Sequence, residues 1–231
     1  MKEIEILVIS QSEWNVQNNT GNTYSNIFGN LKGYRFSSLY CNNAEPDNEV
    51  CNKYFKINEK EILLNLFGGK NKIGKSFNKV NLPKEKINNS RKKSFLKRNK
   101  NIVFYTLREL IWKIGNWKNK NLAKFIDETS PDIIFMTVHG SCFMHNMLKY
   151  VKGKTNARVV LFFSDDYYSY NTNNKSPLYY INRFFLRKRI RESVKIADLF
   201  YGASDMLCEE YGELFKVKIK PLYKGCRFDE C

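Results

Sequence analysis

Two runs constrain the fold of this chain more than any other feature: DIIFMTV at 132–138 and RVVLFF at 158–163. Both are apolar at successive positions, not at alternate ones. A strand reads this way when both faces of its sheet are covered, which is the habit of parallel sheets flanked by helices. The stretches between strands carry helical spacing. Tyr24, Ile27, Phe28 and Leu31 stand at i, i+3, i+4 and i+7, and Val103, Leu107, Leu110, Ile111 and Ile114 mark the buried stripe of a longer amphipathic helix. Other strands are expected at 1–9 (MKEIEILVI), 34–40, 54–57, 199–201 and near 217–223. Other helices are expected near 141–151, over 178–195 and from Asp205, while 62–67 fits either state. The alternation predicts an α/β, Rossmann-like, doubly wound, mostly parallel sheet with helices on both faces, formed by one domain over 1–231. Ligands of such sheets sit outside the carboxyl ends of the strands. The loops that start at Ser10, His139, Ser164 and Ala203 are therefore the places for a site.

Charge narrows the partners. The chain has 39 Lys+Arg against 23 Asp+Glu, a formal charge of +16, which favours anionic partners without choosing among them. Eight basic residues and one acid fall in 84–100, a surface segment beside a helix bearing Trp112 and Trp117. This pairing points to peripheral contact with an anionic membrane. Nucleic acid is the less favoured partner. No apolar run reaches the roughly 18 residues of a spanning helix, and the charges within 1–9 mark a strand, not a signal peptide. A cytoplasmic location follows as the expectation. The six cysteines form no CxxC pair, and His139 and His145 stand six apart, so neither a metal nor a cofactor is implied.

Several short patterns are candidates for chemistry. The segment 69–76, GKNKIGKS, fits the phosphate-cradling P-loop, with Lys75 and Ser76 in the cation-bearing and metal-bearing places. Its context argues otherwise, because FNKVNLP follows where a helix should begin; a solvated basic loop is the competing reading. The first strand-to-helix loop contains Gly21, Asn22 and Thr23, where a glycine lets a ligand approach the backbone and a helix start presents free N–H groups. An ordinary turn capped by Asn19 or Thr20 is the alternative. Ser164, Asp165, Asp166 and Tyr167 follow a buried strand, where carboxylates can bind sugar hydroxyls or accept a proton; a helix-capping Asp pair in a loop is the alternative. His139 ends another strand and is a candidate for titration near neutral pH; a partly buried structural His that caps the next helix is the alternative.

The order of these features resembles the N-terminal domain of GT-B-fold retaining glycosyltransferases of family four. The matching phrases are the opening ILVISQSEWNVQNNTGNTYSNIF, then LYCNNAEPDNEVCNKYFKI, PDIIFMTV, the Ser164-Asp165-Asp166-Tyr167 loop, and ADLFYGASDM with Tyr211. Ser164 stands where the family usually has His. The resemblance implies transfer of a sugar from a nucleotide-sugar, bound as substrate, to a saccharide or lipid-linked acceptor in surface polysaccharide assembly at the inner face of the plasma membrane. It implies donor-phosphate contacts at Gly21, Asn22 and Thr23, and acceptor contacts at His139, Asp165, Asp166 and Tyr167. Asp165 and His139 are the candidate catalytic groups, and Ser204 would face an interdomain cleft. It further implies that a C-terminal donor-binding domain, absent from these 231 residues, is needed for turnover, supplied for example by a separate polypeptide. The alternatives are a P-loop nucleotide-binding protein or a basic anion- or nucleic-acid-binding module.

Overall fold

The computed structural model describes residues 3–69, 72–79, 102–170 and 176–223. Its frame is an eight-stranded sheet. β1 (Ile4–Ser10) is buried from Glu5 onward and pairs in parallel with β2 (Tyr34–Tyr40) on one side and β5 (Ile133–Thr137) on the other. The chain runs outward from β2 to β3 (Lys53–Lys56) and β4 (Lys75–Asn78), and from β5 to β6 (Arg158–Phe163), β7 (Leu199–Gly202) and β8 (Ile219–Pro221). The strand order is β4-β3-β2-β1-β5-β6-β7-β8, parallel throughout except for β4, which runs antiparallel on β3. Strand order reverses at β1/β5, so the sheet is doubly wound with its switch point there.

Side chains of β1 alternate between two cores. Leu7 and Ile9 join the cluster under α2 (Glu59–Leu66), α3 (Ile102–Ile114), α4 (Lys120–Thr129), α5 (Cys142–Lys152), α6 (Pro177–Ile196) and α7 (Asp205–Phe215). Ile6 and Val8 join the smaller cluster under α1 (Asn19–Phe28). This second core is aromatic: Trp14, Tyr24, Phe28, Phe36 and Phe135 meet at ring centroids 5.0–6.3 Å apart, mostly edge-on or tilted. The EPDNEVC phrase closes it. The buried Asn48 side chain donates to the Trp14 carbonyl at 2.7 Å and accepts from the Val50 and Cys51 amides.

Two expectations are corrected. The stripe assigned to the core on α3 faces outward: Val103, Leu107, Leu110 and Ile114 are 48–59% exposed, and of the five only Ile111 is buried. The inward face is the one that carries Tyr105, Arg108, Glu109 and Trp112, also at i, i+3, i+4 and i+7. It wins because it offers stacking and hydrogen bonds: Trp112 stacks on Phe143 at 4.3 Å and donates to Glu59. Trp112 and Trp117 are both buried, so neither is available to a surface partner. Residues 62–67 resolve as helix for the most part, α2 ending at Leu66. The basic segment 84–100 lies outside the described residues.

Candidate functional site

The helix start that matters is α1. Its cap is Asn18, not Asn19 or Thr20: the Asn18 side chain accepts from the Gly21 amide at 2.7 Å, and its carbonyl accepts from Asn22. The amides of Asn19 and Thr20 come one turn too early to have a carbonyl partner within the helix, and they lie at its partially positive end. Gly21 serves packing. A Cβ there would lie 2.2–2.6 Å from Asn15 backbone atoms, so only glycine allows the helix to approach that loop. Its φ is not positive, and it is buried.

A cavity of about 350 Å³ opens beside this helix start, over the carboxyl ends of β5, β6 and β7. Helix α1 contributes Asn19, Thr20, Thr23, Tyr24 and Ile27. The strand ends contribute Thr137 and Phe162, and the loops beyond them Ser164, Asp165, Ala203 and Leu222. Tyr24 and Thr137 join the two sides through a hydroxyl–hydroxyl hydrogen bond of 3.0 Å. The exposed Asp165 carboxylate accepts from the Ser164 hydroxyl at 3.0 Å and from the Tyr167 hydroxyl at 3.3 Å. The cavity thus combines hydroxyls, backbone donors at a helix N-terminus and one carboxylate, a set that suits phosphoryl and polyhydroxyl ligands.

The expected site residues divide accordingly. Thr23 and Asp165 line the cavity together. Gly21 and Asn22 belong to the same helix but are not among the lining residues. Ser204 follows the lining residue Ala203 and caps α7, its hydroxyl accepting from the Leu207 amide. Asp166 is occupied internally: it accepts from the Tyr168 and Ser169 amides at 2.9 Å and from the Tyr211 hydroxyl. Burial works to raise its carboxyl, but these hydrogen bonds outweigh burial and hold it below the usual range.

His139 sits on the other side of the sheet. Burial, then the neighbouring His145 and Arg108, push its imidazole down to about 3, so it stays neutral at neutral pH, which goes against the titrating reading of this residue and fits the structural one. His145 is likewise pushed down, to about 4, chiefly by burial. Its Nε2–H donates to the His139 carbonyl at 3.0 Å, which leaves Nδ1 to accept from the Ser193 hydroxyl at 2.8 Å. Glu109 is shifted the other way: burial raises its carboxyl to about 7 against the pull of two amides. Those amides, Cys142 and Phe143, open α5, so Glu109 caps that helix across 33 residues where Ser141 makes no side-chain cap. Sequence reasoning missed Glu109, and also Thr137, whose one signal is a hydroxyl at the end of an apolar strand.

The segment 69–76 is not a P-loop. Lys75 and Ser76 lie in β4, antiparallel to β3, and the strand runs on through Phe77 and Asn78 where the helix of a P-loop would begin. Among the described residues, no three His, Cys, Asp or Glu side chains cluster closely enough to hold a metal ion. No helix there is long and apolar enough to cross a membrane.

No protein-family model matches the chain, and no curated protein matches it in sequence. Among solved structures it is similar to a glycosyltransferase from Rickettsia africae ESF-5, with 16% identity and a TM-score of 0.42. The match covers 99% of this chain and 45% of that one, so this chain spans less than half the length of that protein.

Proposed function

We propose that the chain is the acceptor-side half of a glycosyltransferase, moving a sugar from a nucleotide-sugar to a hydroxyl of a saccharide or lipid-linked acceptor in surface polysaccharide assembly. The observation that carries this reading is the cavity in which the first turn of α1 and Asp165 face one space at the carboxyl edge of the sheet. The order of sequence phrases supports it independently. In this reading the amides of Asn19 and Thr20 receive the donor diphosphate. Asp165, held by Ser164 and Tyr167, accepts the hydrogen of the acceptor hydroxyl. As the bond from the sugar C1 to the diphosphate oxygen breaks and the bond to the acceptor oxygen forms, the helix N-terminus stabilises the charge that gathers on the leaving diphosphate. A second, donor-binding domain holds the nucleotide, and the 231 residues alone turn over no nucleotide-sugar.

The test is an NMR titration of the chain with nucleoside diphosphates, nucleotide-sugars and a panel of saccharides. Perturbations should centre on Asn19, Thr20, Thr137 and Ser164, and Asp165→Ala should remove the saccharide response. Perturbations centred elsewhere, or none with any member of the panel, would overturn the reading.

A further inference from the structure

The outer surface of α6 is built differently along its length. Its first half presents Ile181, Phe184 and Phe185, each 52–60% exposed. Its second half lines a groove of about 520 Å³ with Arg187, Lys188, Arg191 and Lys195. The one carboxylate in that groove, Glu192, is engaged by Arg189 at 2.7 Å and by Lys149 at 3.6 Å. Among the described residues, none of the four groove cations makes an ion pair. Arg187 is held in place without one: its guanidinium lies 4.3 Å from the Tyr168 ring and 4.4 Å from the Tyr170 ring. Much of the rotamer entropy that anion binding would cost is thereby already lost. Beside α6 packs α3, joined to it by the Asn182 side chain donating to Thr106, and α3 presents the outward apolar stripe Val103, Leu107, Leu110 and Ile114.

An apolar ridge next to a groove of cations that have no ion-pair partner among the described residues has a defined complement. A site for a soluble phosphate needs the groove alone. A neutral protein partner needs the ridge alone. An anionic phospholipid bilayer uses both, because headgroup phosphates meet the cations while aromatic and aliphatic side chains enter the acyl boundary. We propose that the outer face of α6, with the α3 stripe beside it, docks on an anionic bilayer, with a headgroup phosphate in the groove lined by Arg187, Lys188 and Arg191. The net charge of +16 acts in the same direction. This surface is separate from the α1 cavity, so the proposal stands or falls apart from the assignment of glycosyl transfer.

The experiment is co-sedimentation of the full chain with vesicles of phosphatidylglycerol and phosphatidylcholine or of phosphatidylcholine alone, over a salt series. Native protein should bind the anionic vesicles, bind the neutral ones poorly, and release as salt rises, since attraction is screened within about 8–10 Å near physiological ionic strength. Lys188→Gln with Arg191→Gln should weaken binding roughly 25-fold, from about fivefold per cation. Phe184→Ser with Phe185→Ser should weaken it about tenfold through lost apolar contact. Both variants change exposed side chains and should keep the native circular dichroism spectrum. Lys32→Gln with Lys75→Gln removes the same charge from the turn before β2 and from the far sheet edge, and should cost much less. If the control pair weakens binding as much as the groove pair, if the phenylalanine pair binds as native, or if neutral vesicles bind as well as anionic ones, the docking surface is wrong. Displacement from vesicles by single-stranded nucleic acid at matched salt, or saturation by inorganic pyrophosphate with no vesicle binding, would likewise overturn it.

Discussion

Thr137 and His139 stand two residues apart at the end of one strand, yet they belong to different chemistries. Thr137 reaches the open cavity beside α1, bonded to Tyr24. His139 turns towards the layer of α3 and α5, with its Nε2 sealed from solvent and without a partner among the described residues. The α1 side offers hydroxyls, amides and an exposed carboxylate to a ligand. The opposite side gathers His139, His145 and Glu109, and burial shifts each of them towards its uncharged form. The presence of a titratable residue at a strand end therefore does not by itself locate a site. What separates the two regions is whether the polar groups are closed off by burial or left facing open space.

The largest expected effect tests the sealed side. The two histidines have folded values depressed to about 3 and 4. The stability they contribute is present above their unfolded value near 6.5 and is lost as pH falls through the folded ones. The loss should be on the order of 5 kcal/mol between them at pH 4. Glu109 has the opposite sign. Raised to about 7, it contributes stability below its unfolded value, and that contribution, about 3 kcal/mol, is lost as pH rises through 7. Between pH 7 and 4.5 the two offset each other in part. Urea unfolding across this range should show Glu109→Gln losing stability more steeply on acidification than the native chain. Equal slopes would mean that Glu109 does not titrate as a buried acid.

A smaller effect separates packing from ligand contact within α1. Gly21→Ala places a methyl group against Asn15 backbone that cannot move aside like a flexible side chain. A loss of about 2–3 kcal/mol is expected, typical of overpacking. Thr20→Ala, one residue away, should change stability by less than about 0.5 kcal/mol while weakening any ligand of the cavity. A Gly21→Ala variant as stable as the native chain would show that α1 can pivot away from Asn15. The pair at Asp165 and Asp166 sharpens the same contrast. Asp166→Ala removes the acceptor for two amides and a hydroxyl and should cost about 1–2 kcal/mol in urea unfolding. Asp165→Ala should leave stability nearly unchanged and act on binding alone.

Much of the fold was legible because burial on both faces writes itself into composition: DIIFMTV and RVVLFF became β5 and β6 with nearly the expected bounds. Helix α4 carried an equally plain signal, Leu122, Phe125, Ile126 and Thr129 at i, i+3, i+4 and i+7 behind an Asn119 cap, and went unread. The orientation of α3 was not legible, because two of its faces have helical spacing and the polar one is buried by partners distant in sequence. The cavity was half legible. The α1 and Asp165 loops were found from their place after strands. The Tyr24–Thr137 contact, 113 residues apart, has no local signature.

The smallest expected effect lies at Lys75, where a motif match and a structure give opposite answers. A phosphate-cradling loop needs backbone amides converging at a helix N-terminus. Here Lys75 and Ser76 instead pair with Lys56 and Phe55 across an antiparallel ladder. Gly74, the glycine before the lysine, has φ of +81°, and a Cβ on it would run into the Phe55 ring at 2.5 Å. That glycine is explained by packing, with nothing left over for a nucleotide. Lys75 is exposed on the outermost strand, a position where charge discourages pairing with a second sheet. Lys75→Ala should therefore shift the urea midpoint by no more than about 0.5 kcal/mol equivalent. Equilibrium dialysis with ATP and magnesium should show the variant binding as much nucleotide as the native protein, because any phosphate binding belongs to the α1 cavity or the α6 groove and not to β4. Magnesium-dependent binding that disappears in the variant would require β4 to leave the sheet, and would move the nucleotide site from the carboxyl edge to this one.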